Sequence, residues 1–455
     1  MTTAQRPTPG LPREYHFPQF ERRRLPNGLR LCVAPVRKLP VVTVMMVTEA
    51  GAVSENRGEE GIAELTARML LEGTGSWSGT DITERLERLG ASLEASADWD
   101  VSSLAMTVLK TRLPEAFRVF AQVMRNPSFP AREVDRLRSE RLAELLQTRT
   151  EPRTLATEMF ARFLYDPESR YSLPEGGSEA TVASLTRAKM VAFYESRFQA
   201  GGTTIILAGD VSGDEAEELI AQHLGGWAAR DPGIATPVLR VGRTNRAIHI
   251  VAKEDAPQSE VRVGHVGIPR AHPDFYDVLV MNAILGGLFS SRINLNLREA
   301  HGYTYGASSI FDWRRHSGPF VVSTAVRSDV TDAAVREILL EIDRIRSEPV
   351  PEDELTLATS FLDGVFPIKY ETTNAIAHAL ATLVVYGLPD EYFEQYRLRV
   401  RQITPERVLT AARNHLHPEQ LQIVVVGDAA AIRDPLARLR GDPAMIYDSE
   451  GSALG

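Results

Sequence analysis

The chain has 455 residues, 43% hydrophobic and 24% charged, which at about 100–200 residues per domain describes two to four globular units. Sixty Asp and Glu against 51 Lys and Arg leave a net charge of −9, which argues against nucleic acid as the main partner, because phosphate binding asks for a basic surface. The one cysteine, Cys32, rules out an intrachain disulfide and fits a reducing compartment.

The stretch Met1–Pro12 shows no apolar core of a secretory leader and no run of 18 apolar residues occurs, so no membrane span is expected and the location is read as cytoplasmic, with periplasmic the alternative for a start that has been trimmed. Arg22, Arg23 and Arg24 form a short basic lead-in to the turn Pro26-Asn27-Gly28. Strands are predicted at Leu29–Pro35, with Cys32 as a small packing residue, and at the Val-rich segment Val41–Thr48. Gly61–Leu71 carries Ile62, Leu65, Met69 and Leu70 at helical spacing, and Thr80-Asp81 reads as the cap of a helix ended by Gly90. Ser92–Leu109 alternates as a hairpin. Helices follow at Pro114–Met124, Glu133–Gln147 and Ser184–Phe198, the last with Ser184 as its cap. Thr203–Gly209 is a strand and Glu215–Leu224 a helix.

Residues 231–244, with Pro232, Gly233, Pro237 and Gly242, have the composition of a linker. Beyond it come strands Ile248–Ala252 and Glu260–Gly267, helix Tyr276–Leu285, strand Gly318–Val326, and helices Asp332–Ser347 and Pro351–Gly364. Helix Pro405–His415, strand Leu421–Gly427 and a short helix close the chain.

The second half repeats the first. Val108-Leu109-Lys110-Thr111 leads into a helix, then Asn126-Pro127-Ser128-Phe129-Pro130 and a long helix; Ala325-Val326-Arg327-Ser328 leads into a helix, then Glu348-Pro349-Val350-Pro351 and another. Each half ends as helix, strand, Gly-Asp, helix, at Gly209-Asp210 and Gly427-Asp428. An offset of about half the chain indicates duplication. The fold class expected is α+β: two duplicated domains, 20–230 and 245–440, each a mixed or antiparallel sheet covered by helices on one side.

Several segments then combine into a resemblance. Leu25-Pro26-Asn27-Gly28-Leu29-Arg30, Gly61-Ile62-Ala63 with Glu72-Gly73-Thr74, Asn126-Pro127-Ser128-Phe129, and Leu207-Ala208-Gly209-Asp210 occur in the first half. Gly286-Gly287-Leu288-Phe289-Ser290-Ser291-Arg292 and Leu297-Arg298-Glu299-Ala300-His301-Gly302-Tyr303-Thr304-Tyr305 occur in the second. In order and spacing this set resembles the pitrilysin/insulinase family of zinc peptidases, in its mitochondrial-processing-peptidase-like branch, over about 25–440.

One departure carries the functional expectation. The family motif His-x-x-Glu-His puts two imidazoles at i and i+4 on a helix, with a general-base Glu between them; a distant Glu completes three protein ligands and water takes the fourth place. Here those five positions read Glu64, Leu65, Thr66, Ala67 and Arg68, while Glu144 stands at the distal-ligand position. Both imidazoles and the base are missing, and Arg68 puts a positive charge where the ion would lie, so no metal is expected in this helix. Elsewhere, His415-x-His417 shares a face only on a strand, and His265, His272 and His301 show no ligand spacing, so each reads as a surface or packed histidine.

What the resemblance keeps is Arg298 and Tyr305, which match the second-domain pair that faces the family's zinc, binds substrate backbone and donates hydrogen bonds to the developing oxyanion. It therefore implies a subunit inactive on its own: the non-catalytic, substrate-binding half of a heterodimeric zinc metallopeptidase, supplying Arg298 and Tyr305 to a partner's zinc and gripping unstructured peptide as an added strand. The partner implied is a homologous zinc-bearing chain, with no cofactor in this one. The alternative is a zinc-free peptide-binding or structural assembly subunit with no role in hydrolysis.

Overall fold

A computed structural model describes residues 14–439 and 444–454. The stretch Met1–Pro12, read above for a leader, lies outside the described residues.

The first sheet has six strands: β1 (Glu21–Arg24), β2 (Arg30–Pro35), β3 (Val41–Thr48), β4 (Leu93–Ala97), β5 (Ser102–Leu109) and β6 (Thr203–Gly209), in the order β1-β2-β6-β3-β5-β4. β2 and β6 run parallel, and the other neighbours are antiparallel. Its helices are α1 (Ile62–Met69), α2 (Gly79–Arg88), α3 (Leu113–Arg125), α4 (Ala131–Thr150), α5 (Pro152–Leu164), α6 (Glu179–Ser184), α7 (Arg187–Arg197) and α8 (Gly213–Leu224).

The second sheet has β7 (Ala247–Ala252), β8 (Gln258–Val266), β9 (Ala307–Phe311), β10 (Pro319–Arg327), β11 (Gln422–Gly427), β12 (Ala444–Tyr447) and β13 (Ala453–Leu454), in the order β13-β12-β7-β11-β8-β10-β9. Its helices are α9 (Phe275–Asn282), α10 (Arg292–Asn294), α11 (Thr331–Ser347), α12 (Glu352–Lys369), α13 (Thr373–Tyr386), α14 (Tyr392–Arg401), α15 (Pro405–His415) and α16 (Ala429–Ala437). The run β7-β11-β8-β10-β9 reproduces β2-β6-β3-β5-β4 strand for strand, with a parallel pair first in each. The duplication is thus a duplication of topology. The second sheet continues past residue 440 through β12 and β13.

Helices cover one face of each sheet from its own half. The other face receives a helix from the opposite half: α5 packs on β8 and β11, and α13 packs on β3 and β6. The two helices are equivalent in the repeat, since α5 follows α4 as α13 follows α12. The sheet-one face beneath α13 carries Cys32, Ala34, Met45, Val47, Ile206 and Ala208, in one apolar cluster with Ile376, Ala377 and Leu380. Cys32 is a packing residue there, 1% exposed, and burial pushes its thiol up to about 12. Neither exchanged helix was anticipated, because a helix buried on several sides loses the polar stripe that betrays its period.

Two capping expectations are corrected. Ser78, not Thr80-Asp81, caps α2, in a reciprocal pair with Asp81. Ser184 ends α6, and Thr186 caps α7. The basic lead-in is ion-paired: Arg22 meets Asp390 at 2.7 Å, and Arg23 meets Asp214 and Glu217 at 2.8 and 2.6 Å. The helical run Phe275–Ala300 has the length and apolarity of a membrane span, which the sequence reading did not expect, but 61% of its most apolar window is buried inside the protein.

Candidate functional site

Two groups of residues singled out by the sequence sit on different halves of the chain. In the first half, α1 and α4 face each other. α1 starts at Gly61, whose φ of 95° suits only a residue without Cβ. The buried acid Glu55 receives the N–H groups of Gly61 and Ala63 at 3.1 and 3.0 Å, which fixes the first turn. Ile62, Leu65 and Met69 face the core, so the i, i+4 pair Glu64 and Arg68 points to α4.

There Arg68 stands at the centre of a charge lattice. Its guanidinium lies 3.7 Å from Glu64, 3.5 Å from Glu140 and 3.4 Å from Glu144. Arg141 adds contacts of 3.0 Å to Glu144 and 3.7 Å to Glu64. The fold thus brings Glu64, Arg68 and Glu144 together, as the resemblance implies. Glu140 and Arg141 complete the lattice and were missed, although Arg136, Glu140 and Glu144 repeat at i+4 along α4, which is the sequence signal for a shared face.

These residues do not fit a zinc ion. They offer carboxylates but no imidazole, and a guanidinium already neutralises them at the point between the two helices. Ala67, at the general-base position, is fully buried, so that position opens onto no substrate space.

The second group surrounds Arg298 and Tyr305. The chain runs from α9 through a wide helical turn at Ala283–Gly287, α10, and a second wide turn at Leu295–Ala300 that carries Arg298. Gly302 at φ 64° then reverses it toward β9. Asn294 ties this path down: its Nδ2 donates to the Phe289 carbonyl at 2.6 Å and its Oδ1 accepts the Ala307 N–H at 3.0 Å. Thr324 donates to Thr304 Oγ1 and the Gly306 carbonyl at 3.1 and 3.0 Å. Tyr305 therefore has a fixed backbone on both sides while its side chain is 94% exposed.

Tyr305 borders a cleft of about 510 Å³ lined also by Phe289, Ser308, Ser323, Glu260 and Arg262. Arg298 is not in the cleft wall. Its guanidinium lies 4.6 Å over the Phe289 ring and its Nη1 is 3.5 Å from Glu299. A phenol open to solvent can donate to a peptide carbonyl brought to this cleft.

A duplicated α+β fold with an Arg-bridged set of carboxylates between α1 and α4 in one half and an Arg/Tyr-bearing wide turn in the other defines the class: a two-domain peptidase-like fold. Residues 34–169 match the family described as insulinase, peptidase family M16, and residues 184–362 match the domain described as the peptidase M16 inactive domain. The chain belongs to this family. It is similar to an uncharacterized zinc protease of Streptomyces coelicolor, 23% identical over 408 residues, which cover 89% of this chain and 88% of that one. An uncharacterized zinc protease of Mycobacterium tuberculosis is 24% identical over 420 residues, covering 92% and 95%. Among solved structures, a peptidase M16 inactive domain from Pseudomonas fluorescens superposes with a TM-score of 0.84 at 26% identity, over 90% of this chain and 98% of that one. A protease from Helicobacter pylori shares the fold, with a TM-score of 0.84 at 18% identity over 90% and 100%.

Proposed function

We propose that this chain is the non-catalytic, substrate-binding subunit of a heterodimeric zinc metallopeptidase, and that it presents Arg298 and Tyr305 to a zinc held by a homologous partner. The observation that carries this reading is the contrast between the two halves. Where ligands belong, Arg68 bridges Glu64, Glu140 and Glu144. In the other half Tyr305 is held on a braced loop and left 94% exposed beside an open cleft. An exposed tyrosine on a rigid turn does nothing for the core of its own domain. That exposure supports a role outside its own domain.

The experiment is reconstitution. The chain alone leaves an unstructured peptide intact; mixed with a similar-sized homologue bearing His-x-x-Glu-His, it supports cleavage. Arg298→Ala or Tyr305→Phe then lowers turnover by roughly 100-fold, as loss of one oxyanion donor does elsewhere, with peptide binding largely kept. Unchanged turnover in Arg298→Ala would favour the zinc-free binding or assembly role instead. One observation speaks for that second reading: Arg298 is engaged within its own chain by Phe289 and Glu299.

A further inference from the structure

Two histidines without ligand spacing in the sequence are brought together by the fold. His272 lies in the turn between β8 and α9, Asp274 is the residue before α9, and His415 is the last residue of α15. The ligand atoms of these three side chains all lie within 4.8 Å of one another.

The local geometry is unusual for a helix start. An Asp before a helix ordinarily accepts N–H groups from the first turn. Asp274 makes no such cap, and its Oδ2 turns instead to Nε2 of His415 at 2.7 Å. His272 Nδ1 accepts the backbone N–H of Asp274 at 3.1 Å, so that nitrogen carries the ring's lone pair and is held by the amide. The two imidazole rings meet edge to face with centroids 5.0 Å apart.

The supporting elements are firmly held. Arg407 on α15 clasps both carboxylate oxygens of Asp277 on α9 at 2.6 and 2.8 Å. Arg413 donates to the Arg346 and Ser347 carbonyls at 3.0 and 3.4 Å, which anchors the end of α15. The His415 side chain is 10% exposed and that of Asp274 42%, so the cluster is closed on the protein side and open on the other.

We propose that His272, Asp274 and His415 form a binding site for a divalent transition-metal ion of the zinc type. Two imidazoles and one carboxylate are a donor set such ions take, with water completing the shell on the open side. On binding, the proton shared by His415 Nε2 and Asp274 Oδ2 leaves to solvent, and both atoms turn to the metal. The His272 Nδ1 lone pair passes from the Asp274 amide to the ion. The metal then ties the loop before α9 to the end of α15. This site is separate from α1 and does not rest on the reading of the peptidase subunit. The competing account is a plain His–Asp ion pair at a helix C-terminus, which binds no metal.

The test is titration of the full chain, stripped with chelator, with zinc chloride in a calorimeter. The expected result is saturable 1:1 binding that raises the melting temperature. His272→Ala and His415→Ala should each weaken it by roughly 100-fold or more, at or beyond what losing an outer-shell partner costs. Asp274→Asn guards against misfolding: its amide oxygen still accepts from His415, so the fold is kept while the anionic ligand is gone, and zinc affinity should fall likewise. No zinc uptake by the parent, or uptake unchanged in these variants, overturns the proposal. Reconstituted peptidase activity is a different readout, so failure here and failure of the subunit reading are told apart.

Discussion

Arg68 on α1 and Glu144 on α4 lie 3.4 Å apart, guanidinium to carboxylate, across the gap where the family resemblance puts a metal between two helices. A side-chain cation stands in that gap, between acids from both helices. The Arg68 side chain is 26% exposed and that of Glu144 46%, so solvent screens the pair. Its worth is that of a surface network, about 1 kcal/mol.

A first prediction follows from how little of a site is missing. Zinc stands about 2 Å from each ligand atom, so an imidazole at position 68, shorter than arginine, still reaches Glu144 through an ion. Glu64→His with Arg68→His should therefore create a three-ligand site completed by Glu144, and metal analysis after dialysis should show zinc lost again on Glu144→Ala. Zinc content no higher than the parent's would mean that α4 does not hold Glu144 within ligand distance. Arg68→Ala alone should cost about 1 kcal/mol in urea denaturation.

The sequence made the halves and most of the strands readable, because each rests on local signals: Val41–Thr48 is nearly continuous in apolar residues, and Gly209-Asp210 and Gly427-Asp428 punctuate both copies. Relations between distant segments left no such trace. α5 and α13 are apolar in patches because each is buried against the other half, so neither shows a clean period. His272 and His415 are 143 residues apart in number (415 less 272) and meet only because α15 packs on α9. The Arg/Tyr turn was legible as residues, but not the stacking of Arg298 on Phe289.

The two halves are also joined by a buried ion pair. Arg315 binds both oxygens of Glu49 at 2.7 and 3.0 Å, its Nε donates to the Val385 carbonyl at 3.0 Å and its backbone N–H to Asp100 at 2.9 Å. The two side chains are only 12% and 10% exposed. Glu49→Ala leaves a buried guanidinium without its anion and should cost about 3–5 kcal/mol. Glu49→Leu with Arg315→Met should recover much of that loss, because an apolar pair avoids desolvating two charges. Urea unfolding of the three variants decides it; a double variant no better than Glu49→Ala would show the charges to be net stabilising.

Helix exchange makes a prediction about cooperativity. Phe160 on α5 is 3% exposed and its ring occupies the space over Gly264 of β8, where a Cβ would collide with it. Phe160→Ala opens a cavity in the second half's packing, although α5 belongs by sequence to the first, and should cost about 3–5 kcal/mol. Since α13 couples the halves in the opposite sense, calorimetry should show one transition moved down as a whole. Two separated transitions in the variant would mean that each half is stable without the other's helix.

The last prediction concerns acid. His249 on β7 is fully buried, stacked on Phe163 at 4.3 Å, and its Nε2 donates to Gln422 Oε1 at 3.0 Å. Gln422 spends its own N–H groups on the Asn245 and Gln420 carbonyls, which leaves its oxygen to accept from the ring. Burial pushes the imidazole down to about 4. In the unfolded chain the ring protonates near its ordinary value of about 6.5. Between about 6.5 and 4 the unfolded state thus binds a proton that the folded state refuses, and the fold loses stability as pH falls, by up to about 3 kcal/mol from this residue. His249→Phe cannot titrate. At pH 7.5 it should be the less stable protein, because Gln422 Oε1 loses its donor, at about 1–3 kcal/mol. At pH 4.5 the gap should narrow or reverse. Urea midpoints of both proteins at the two pH values check this, and a gap that stays constant would show that His249 protonates without leaving the fold.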